Sequence, residues 1–127
     1  MLAPTHSIFG LFLTLILLAI FGVKQSLHWS ILAFAILGSL FPDIDMPRSV
    51  IGRLFPFISK PLERRFGHRT ITHSVIGWLA TSLILTAILM LFCLSTKQSL
   101  AIPISLCKRW LAAFAIGYFS HLVLDMF

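Results

Sequence analysis

Residues 75–94 read VIGWLATSLILTAILMLFCL, an uninterrupted apolar segment without a charged side chain. A helix needs about 20 apolar residues to cross the hydrocarbon core of a bilayer, so this segment is long enough to do so. The composition of the whole chain agrees, since 58% of its residues are hydrophobic, 11% are charged and its mean hydropathy is +0.99. Soluble domains carry about 25% charged residues. The sequence therefore indicates an integral membrane protein.

Three further hydrophobic segments lie at 8–23, 29–41 and 110–124. The first reaches spanning length when residues 4–7 form its opening turn, whereas the other two are short and either span with polar ends or pack as partly buried helices. The runs are continuous rather than alternating, which argues against transmembrane β-strands. We expect an all-α, integral membrane bundle of about four hydrophobic helices, forming a single membrane-embedded domain over residues 1–127.

The connection between the second and third segments is long and mixes apolar with basic side chains. Six of the ten basic residues of the chain lie there: Arg48, Arg53, Lys60, Arg64, Arg65 and Arg69. This pattern predicts short helices in the membrane interface, interrupted at Pro56 and Pro61, with a helix start near Ser59. The net charge of +6 does not indicate a nucleic-acid partner, because the basic residues alternate with membrane segments. Membrane lipids with anionic headgroups are the expected partners.

The chain has two cysteines, Cys93 and Cys107, and no CxxC pair. A zinc–thiolate cluster is therefore excluded, and any bound metal must use nitrogen and oxygen ligands. The two cysteines flank one loop and could form a disulfide in an oxidising compartment. We expect two unrelated thiols, because the sequence gives no distance between them.

Polar motifs with metal-ligand side chains occur at the ends of the hydrophobic segments, where ionisable groups are costly. In four antiparallel helices, the starts of the first and third and the ends of the second and fourth share one membrane face. The seven candidate metal ligands on that face are His6, Asp43, Asp45, His68, His73, His121 and Asp125. The basic connection lies on the same side, so the positive-inside rule places this face in the cytoplasm.

The spacing within each motif leaves more than one role open. His121 and Asp125 are four residues apart and lie on one helix face, where they can share a metal, orient one another or simply join two helices. Asp43 and Asp45 repel one another unless a cation lies between them, and either can instead act as a catalytic general base. Thr72 is expected to cap the third helix.

These motifs, taken in order, resemble the YdjM-like family of predicted bacterial inner-membrane metal-dependent hydrolases. The resemblance covers essentially the whole chain, and the segments that carry it are Thr5-His6-Ser7, Leu40-Phe41-Pro42-Asp43-Ile44-Asp45, Gly52-Arg53, Phe66-Gly67-His68-Arg69, Thr72-His73-Ser74, Gly117-Tyr118, Ser120-His121 and Leu124-Asp125. It implies a bacterial plasma-membrane location and metal binding at the seven positions named above. Two departures are Thr70, where the family usually has glycine, and the end at Phe127, where the family continues. Relative to the family, we therefore expect a chain truncated at its C-terminal end, either as a fragment or as a shortened member that lacks activity.

These residues predict hydrolysis at one membrane face by water that a divalent Zn²⁺ or Mn²⁺ ion activates, and the resemblance implies that the substrate is a phosphoester or a lipid-like molecule. Arg53 and Arg69 are candidates for binding an anionic group of the substrate. Two other functions fit the same side chains: a metal-sensing or metal-transporting membrane protein, and a non-catalytic bundle in which His and Asp join helix ends. Transport sites lie near the bilayer midplane, so the position at one face argues against a transport pathway.

Overall fold

The computed structural model describes residues 3–23, 28–67, 71–96 and 103–126, which form helices joined by turns. The helices are α1 (Ala3–Ile20), α2 (Trp29–Leu40), a short 3-10 helix (Phe41–Asp45), α3 (Val50–Leu54), α4 (Pro56–Phe66), α5 (Val75–Thr96) and α6 (Ile104–Asp125). The fold is all-α, as the hydrophobic pattern predicts, and short helices occupy the connection between the second and third hydrophobic segments.

Two helices begin earlier than the sequence suggested. α6 begins at Ile104, directly after Pro103, rather than near Trp110. Its first turns include Lys108 and Arg109, which lower the local hydropathy without preventing helix formation. α4 begins at Pro56, because proline is favoured at the first helical position, and not near Ser59.

Helix α6 is the centre of the fold and packs against α2, α1 and α5. Its closest approach is to α2, where a Cβ atom added at Gly38 would lie 2.2 Å from the carbonyl oxygen of Phe114. A Cβ added at Gly117 would lie 2.2 Å from the carbonyl oxygen of Ala35. Only glycine permits backbones to meet this closely, a device common between membrane helices. The buried apolar core between α1, α2 and α6 consists of Leu18, Ile31, Ala35 and Ala113.

Within the described ranges, α5 is long and apolar enough to cross a membrane, over Val75–Ser95. The apolar part of α1, Pro4–Ile20, is shorter, and the 12 residues of α2 extend about 18 Å. Helix α6 has 22 residues, and its apolar sequence is interrupted by Lys108 and Arg109. The described residues thus contain one clear spanning helix, and a bundle of four spanning helices remains a prediction.

Cys93 and Cys107 form a disulfide bond, so the expectation of two unrelated thiols is wrong. Antiparallel packing of α5 and α6 brings the end of one helix next to the start of the other, a proximity that sequence spacing does not reveal. Each cysteine lies about 18 residues from the opposite end of its helix, Val75 in α5 and Asp125 in α6. At 1.5 Å per residue, that separation is about 27 Å. The disulfide therefore lies at the opposite end of the helices from Val75 and Asp125.

The start of α5 is capped by Ser74, whose Oγ accepts a hydrogen bond from the Gly77 backbone N–H at 3.0 Å. The prediction that Thr72 caps this helix is therefore wrong. Thr72 lies two residues too early to reach the free N–H groups of the first turn. Its hydroxyl instead donates a hydrogen bond to Asp45 Oδ2 at 2.6 Å, so Thr72 connects α5 to the 3-10 helix.

Candidate metal centre

Four separate segments of the chain bring ionisable side chains together at one end of the helices. They come from the start of α1, the 3-10 helix that follows α2, the residues before α5 and the last turns of α6. We call them the His/Asp cluster: His6, Asp43, His73, His121 and Asp125. His6 and His121 are 2% and 1% exposed. Histidines buried this completely require polar partners, which the cluster supplies.

Two imidazole nitrogens and two carboxylate oxygens form the centre of the cluster. The Nε2 atoms of His73 and His121 are 3.3 Å apart. His73 Nε2 lies 3.5 Å from Asp43 Oδ1 and 3.3 Å from Asp125 Oδ2. His121 Nε2 lies 3.5 Å and 3.6 Å from the same two oxygens. Each of these carboxylate oxygens therefore lies within 3.6 Å of both imidazole nitrogens.

His6 lies beside this centre. Its ring stacks on the ring of His121, with centroids 3.9 Å apart and planes inclined by 16°. Its Nε2 is 3.7 Å from Asp125 Oδ1, so the two oxygens of Asp125 face different histidines. Among the described residues, the buried Nδ1 of His6 has no hydrogen-bond partner. Leaving a buried polar atom unpaired costs about 1 to 3 kcal/mol, which an ion or a water molecule bound there would offset.

The backbone fixes the orientation of His121. Its Nδ1 is 2.6 Å from the carbonyl oxygen of Ser39. Because a carbonyl oxygen only accepts hydrogen bonds, Nδ1 carries the proton and donates. The lone pair of the neutral ring is then on Nε2, which faces the centre. An outer hydrogen bond of this kind is typical of histidines that bind metals.

Side chains fix the orientation of His73. Asp45, which is 2% exposed, places Oδ2 at 3.6 Å from His73 Nδ1. The same oxygen accepts the hydrogen bond from Thr72, whose hydroxyl is also 3.2 Å from His73 Nδ1. The backbone of Thr72 is held in turn, because Tyr118 donates its phenolic hydrogen to the Thr72 carbonyl oxygen at 2.6 Å. Asp45 therefore lies behind His73, on the side away from the cluster centre.

The carboxylates change the proton affinity of His73. Burial alone would lower its pKa, but hydrogen bonding to Asp43 and Asp45, together with the negative charges of Asp45 and Asp125, outweighs burial and raises the pKa to about 9. For Asp43, burial alone would raise the pKa. Hydrogen bonding to His73 and the proximity of His121 and His73 outweigh it, so the pKa of Asp43 is lowered. Without a metal ion, the centre thus holds a proton on His73 opposite an ionised Asp43.

The geometry fits a divalent metal ion. Two overlapping groups each bring three ligand atoms to within 4.8 Å of one another: His6, His121 and Asp125, and Asp43, His73 and His121. A tetrahedral ion with bonds of about 2.0 to 2.1 Å separates its ligands by about 3.3 to 3.4 Å, close to the spacing at the centre. Since His121 has only Nε2 available, it can bind one ion, and it therefore joins one group at a time. Imidazole and carboxylate ligands suit Zn²⁺ and Mn²⁺.

A cavity of about 190 Å³ opens on the cluster, lined by His73, Leu122, Asp125 and Met126. It gives a small polar group access to Asp125 and to His73. Arg53, predicted to bind substrate, is exposed on α3 and forms no described contact with the cluster. His68 and Arg69, predicted as a metal ligand and a substrate-binding residue, lie outside the described residues.

The sequence pattern predicts no role for Ser39 or Tyr118. Ser39 holds His121, and Tyr118 holds the backbone of Thr72 next to His73. Ser39 acts through its backbone carbonyl, and no side-chain pattern can reveal that role. Tyr118 is the single tyrosine of the chain, is fully buried and precedes His121 by three residues. A lone tyrosine on the same helix face as a candidate ligand was the available signal.

Together, the helices and the buried cluster define an α-helical protein with an apolar spanning helix and a candidate metal centre at one end. The chain belongs to the YdjM family of inner membrane proteins, whose family model matches residues 1–127. It is 40% identical over 104 residues to the inner membrane protein YdjM of Escherichia coli (strain K12) and to that of Shigella flexneri, which covers 82% of this chain and 47% of each relative. It is also 42% identical over 88 residues to the uncharacterized protein YvsG of Bacillus subtilis (strain 168), covering 69% of this chain and 45% of that protein.

The chain therefore spans about half the length of the curated relatives that it matches. No solved structure matches it. These comparisons establish the family and its inner-membrane character, and the names of the relatives assign no reaction.

Proposed function

We propose that this protein is a membrane-bound, metal-dependent hydrolase whose active site is the His/Asp cluster. The observation that carries the proposal is the arrangement of His73, His121, Asp43 and Asp125, in which the Nε2 atom of each histidine lies 3.3 to 3.6 Å from the other Nε2 and from one oxygen of each carboxylate. Hydrolysis by water is favoured over transport, because the cluster lies at one end of the helices and opens to a cavity. The substrate class is a phosphoester or a lipid-like molecule.

Asp43, His73 and His121 would hold a Zn²⁺ or Mn²⁺ ion, and a site with three protein ligands keeps one position open. When bound, the ion would lower the pKa of a water molecule and stabilise negative charge on a phosphoryl oxygen. Asp125 lines the cavity and is placed to accept a proton from the attacking water. Asp45 orients His73, so its role would be to support the site and not to react.

Three observations support a proposal for the membrane arrangement. Helix α5 is a candidate span, the cluster lies at its start, and the disulfide lies about 27 Å away at its end. Disulfides form in oxidising compartments, whereas basic connections are retained in the cytoplasm. We propose a multi-pass protein of the bacterial inner membrane, with the cluster facing the cytoplasm and the disulfide facing the periplasm.

One alternative has a specific observation in its favour. The His–Asp pairs of the cluster lie 3.3 to 3.7 Å apart, which is close enough for them to hold the helix ends together as ion pairs alone. A cluster with only this structural role needs no metal and supports no turnover.

Metal content separates the two functions. The protein, purified in detergent, would be analysed by elemental mass spectrometry as wild type and as the Asp43→Asn and His121→Gln variants. Glu63→Gln is the matched control, because Glu63 is an exposed carboxylate on α4. We expect stoichiometric zinc or manganese in the wild type and in Glu63→Gln, and its loss from the other two variants.

Turnover is measured next, with bis(p-nitrophenyl) phosphate as a general phosphodiester. We expect hydrolysis that chelators abolish, added metal restores and Asp43→Asn lacks. A folded wild-type protein that takes up neither zinc nor manganese would contradict the proposal and support the structural role.

A further inference from the structure

An apolar groove lies between α1, α5 and α6. It has a volume of about 210 Å³ and is lined by Leu17 of α1, Trp78 of α5 and Ala115, Ile116 and Phe119 of α6. The one polar atom of the Trp78 side chain is already used, because its Nε1–H donates to the carbonyl oxygen of Ala115 at 2.9 Å. The groove thus offers apolar surface and no polar group for a ligand to satisfy.

The groove and the cavity at the His/Asp cluster lie on the same side of α6. Ala115 and Phe119 line the groove, whereas Leu122 and Met126 line the cavity at the cluster. These residues are spaced by four, three and four positions, which places them in one stripe along a helix. From Ala115 to Asp125 the helical rise is about 15 Å. The apolar groove and the polar cavity therefore lie along the same face of α6, one turn after the other.

We propose that the groove holds an acyl chain of a membrane phospholipid, with the phosphoester of its headgroup in the cavity beside His73 and Asp125. This inference rests on the proposed function and specifies its substrate as a lipid phosphoester. The chain belongs to a family of inner membrane proteins, so acyl chains surround a groove of this kind. The stripe on α6 leads along the helix from the apolar groove to the polar cavity, in the same order as an acyl chain and the headgroup of a phospholipid. A soluble phosphoester has no long apolar chain that would occupy the groove.

Binding can be tested without turnover, because Trp78 lines the groove and is fluorescent. Phospholipids with brominated acyl chains quench nearby tryptophans, and they would be titrated into the full chain in detergent. We expect a saturable component of the quenching that disappears in Trp78→Phe, where Trp29 and Trp110 remain, and that requires at least about tenfold more lipid in Ala115→Phe, which fills the groove. Ala80→Phe is the matched control, since Ala80 is exposed on α5 and does not line the groove.

Turnover then compares long-chain phosphatidylglycerol with its deacylated counterpart, glycerophosphoglycerol. We expect Ala115→Phe to slow hydrolysis of the long-chain substrate at least about tenfold and to leave hydrolysis of the deacylated one unchanged. If Ala115→Phe fails to retain metal, Leu17→Phe fills the groove from α1 and replaces it.

The two proposals fail in different ways. Equal quenching of wild type, Ala115→Phe and Leu17→Phe by the brominated lipid would overturn the groove as a lipid site, whatever the activity. Equal hydrolysis of both substrates by all variants would also overturn it while leaving the hydrolase intact. A metal-loaded wild type that binds the brominated lipid but hydrolyses neither substrate would overturn the proposed function, and with it the lipid as a substrate, and would leave the groove as a lipid-binding site.

Discussion

The substitution Gly38→Ala tests whether the contact between α2 and α6 sets the geometry of the cluster. The added Cβ would lie 2.2 Å from the carbonyl oxygen of Phe114, whereas ordinary contacts begin at 3.4 Å. The carbonyl belongs to the backbone and cannot rotate away, so α2 and α6 must separate locally by roughly 1.2 Å. Overpacking of this kind costs about 1 to 3 kcal/mol of folding free energy.

The same displacement reaches the cluster through Ser39, the next residue. A shift of that size would lengthen the contact between His121 Nδ1 and the Ser39 carbonyl from 2.6 Å to roughly 3.8 Å, beyond hydrogen-bonding distance. His121 would then lose its fixed orientation, and outer partners of metal-binding histidines are worth about 10- to 100-fold in metal affinity. We expect Gly38→Ala to lower both the thermal stability in detergent and the zinc affinity by these amounts.

Thermal unfolding and zinc titration would be measured in parallel, with Ala80→Val as the control for added volume on an exposed helix face. If Gly38→Ala is destabilised while its zinc affinity stays at the wild-type value, the helix contact does not position His121. An unchanged stability would refute the close approach of the two backbones.

Three further predictions concern the cluster and its supports. His73 must release its proton to bind a metal, so zinc affinity should rise about tenfold per pH unit from pH 7 and level off above about pH 9. In the metal-free protein, the stability due to protonated His73 should be complete below pH 6.5 and disappear as the pH rises through about 9, which pH-dependent unfolding would show. Cys107→Ser, or reduction of the disulfide, should lower the free energy of unfolding by about 3 kcal/mol. Metal content should not change, because the disulfide lies at the far end of α5 and α6, and loss of metal would contradict the separation of the disulfide from the cluster. Tyr118→Phe removes the hydrogen bond to the Thr72 carbonyl and should cost about 0.5 to 1.5 kcal/mol in denaturant unfolding, with no effect expected if the phenol is solvated instead.

The helices and the convergence of the motifs were accessible from sequence, because both follow from hydrophobic run length and antiparallel order. The segment at 75–94 became α5 within two residues, and His6, Asp43, His73, His121 and Asp125 lie together as that order predicts. Their roles as metal ligands remain a prediction.

Features that depend on distances between segments could not be predicted from the sequence. Cys93 and Cys107 are brought together by helix packing, and the start of α6 was obscured by Lys108 and Arg109. The roles of Asp43 and Asp45 illustrate the same limit. One faces the centre and the other lies behind His73, although the sequence presents them as equivalent neighbours.

The two central histidines of the cluster are held by different kinds of partner, and this affects how the site can evolve. The acceptor for His121 is a main-chain carbonyl, which every amino acid provides, so mutation at position 39 cannot delete it directly. His73 depends on the side chains of Asp45 and Thr72, which single substitutions can alter. Single substitutions can therefore change the orientation of His73 in small steps, whereas the orientation of His121 is preserved as long as the backbone fold is preserved.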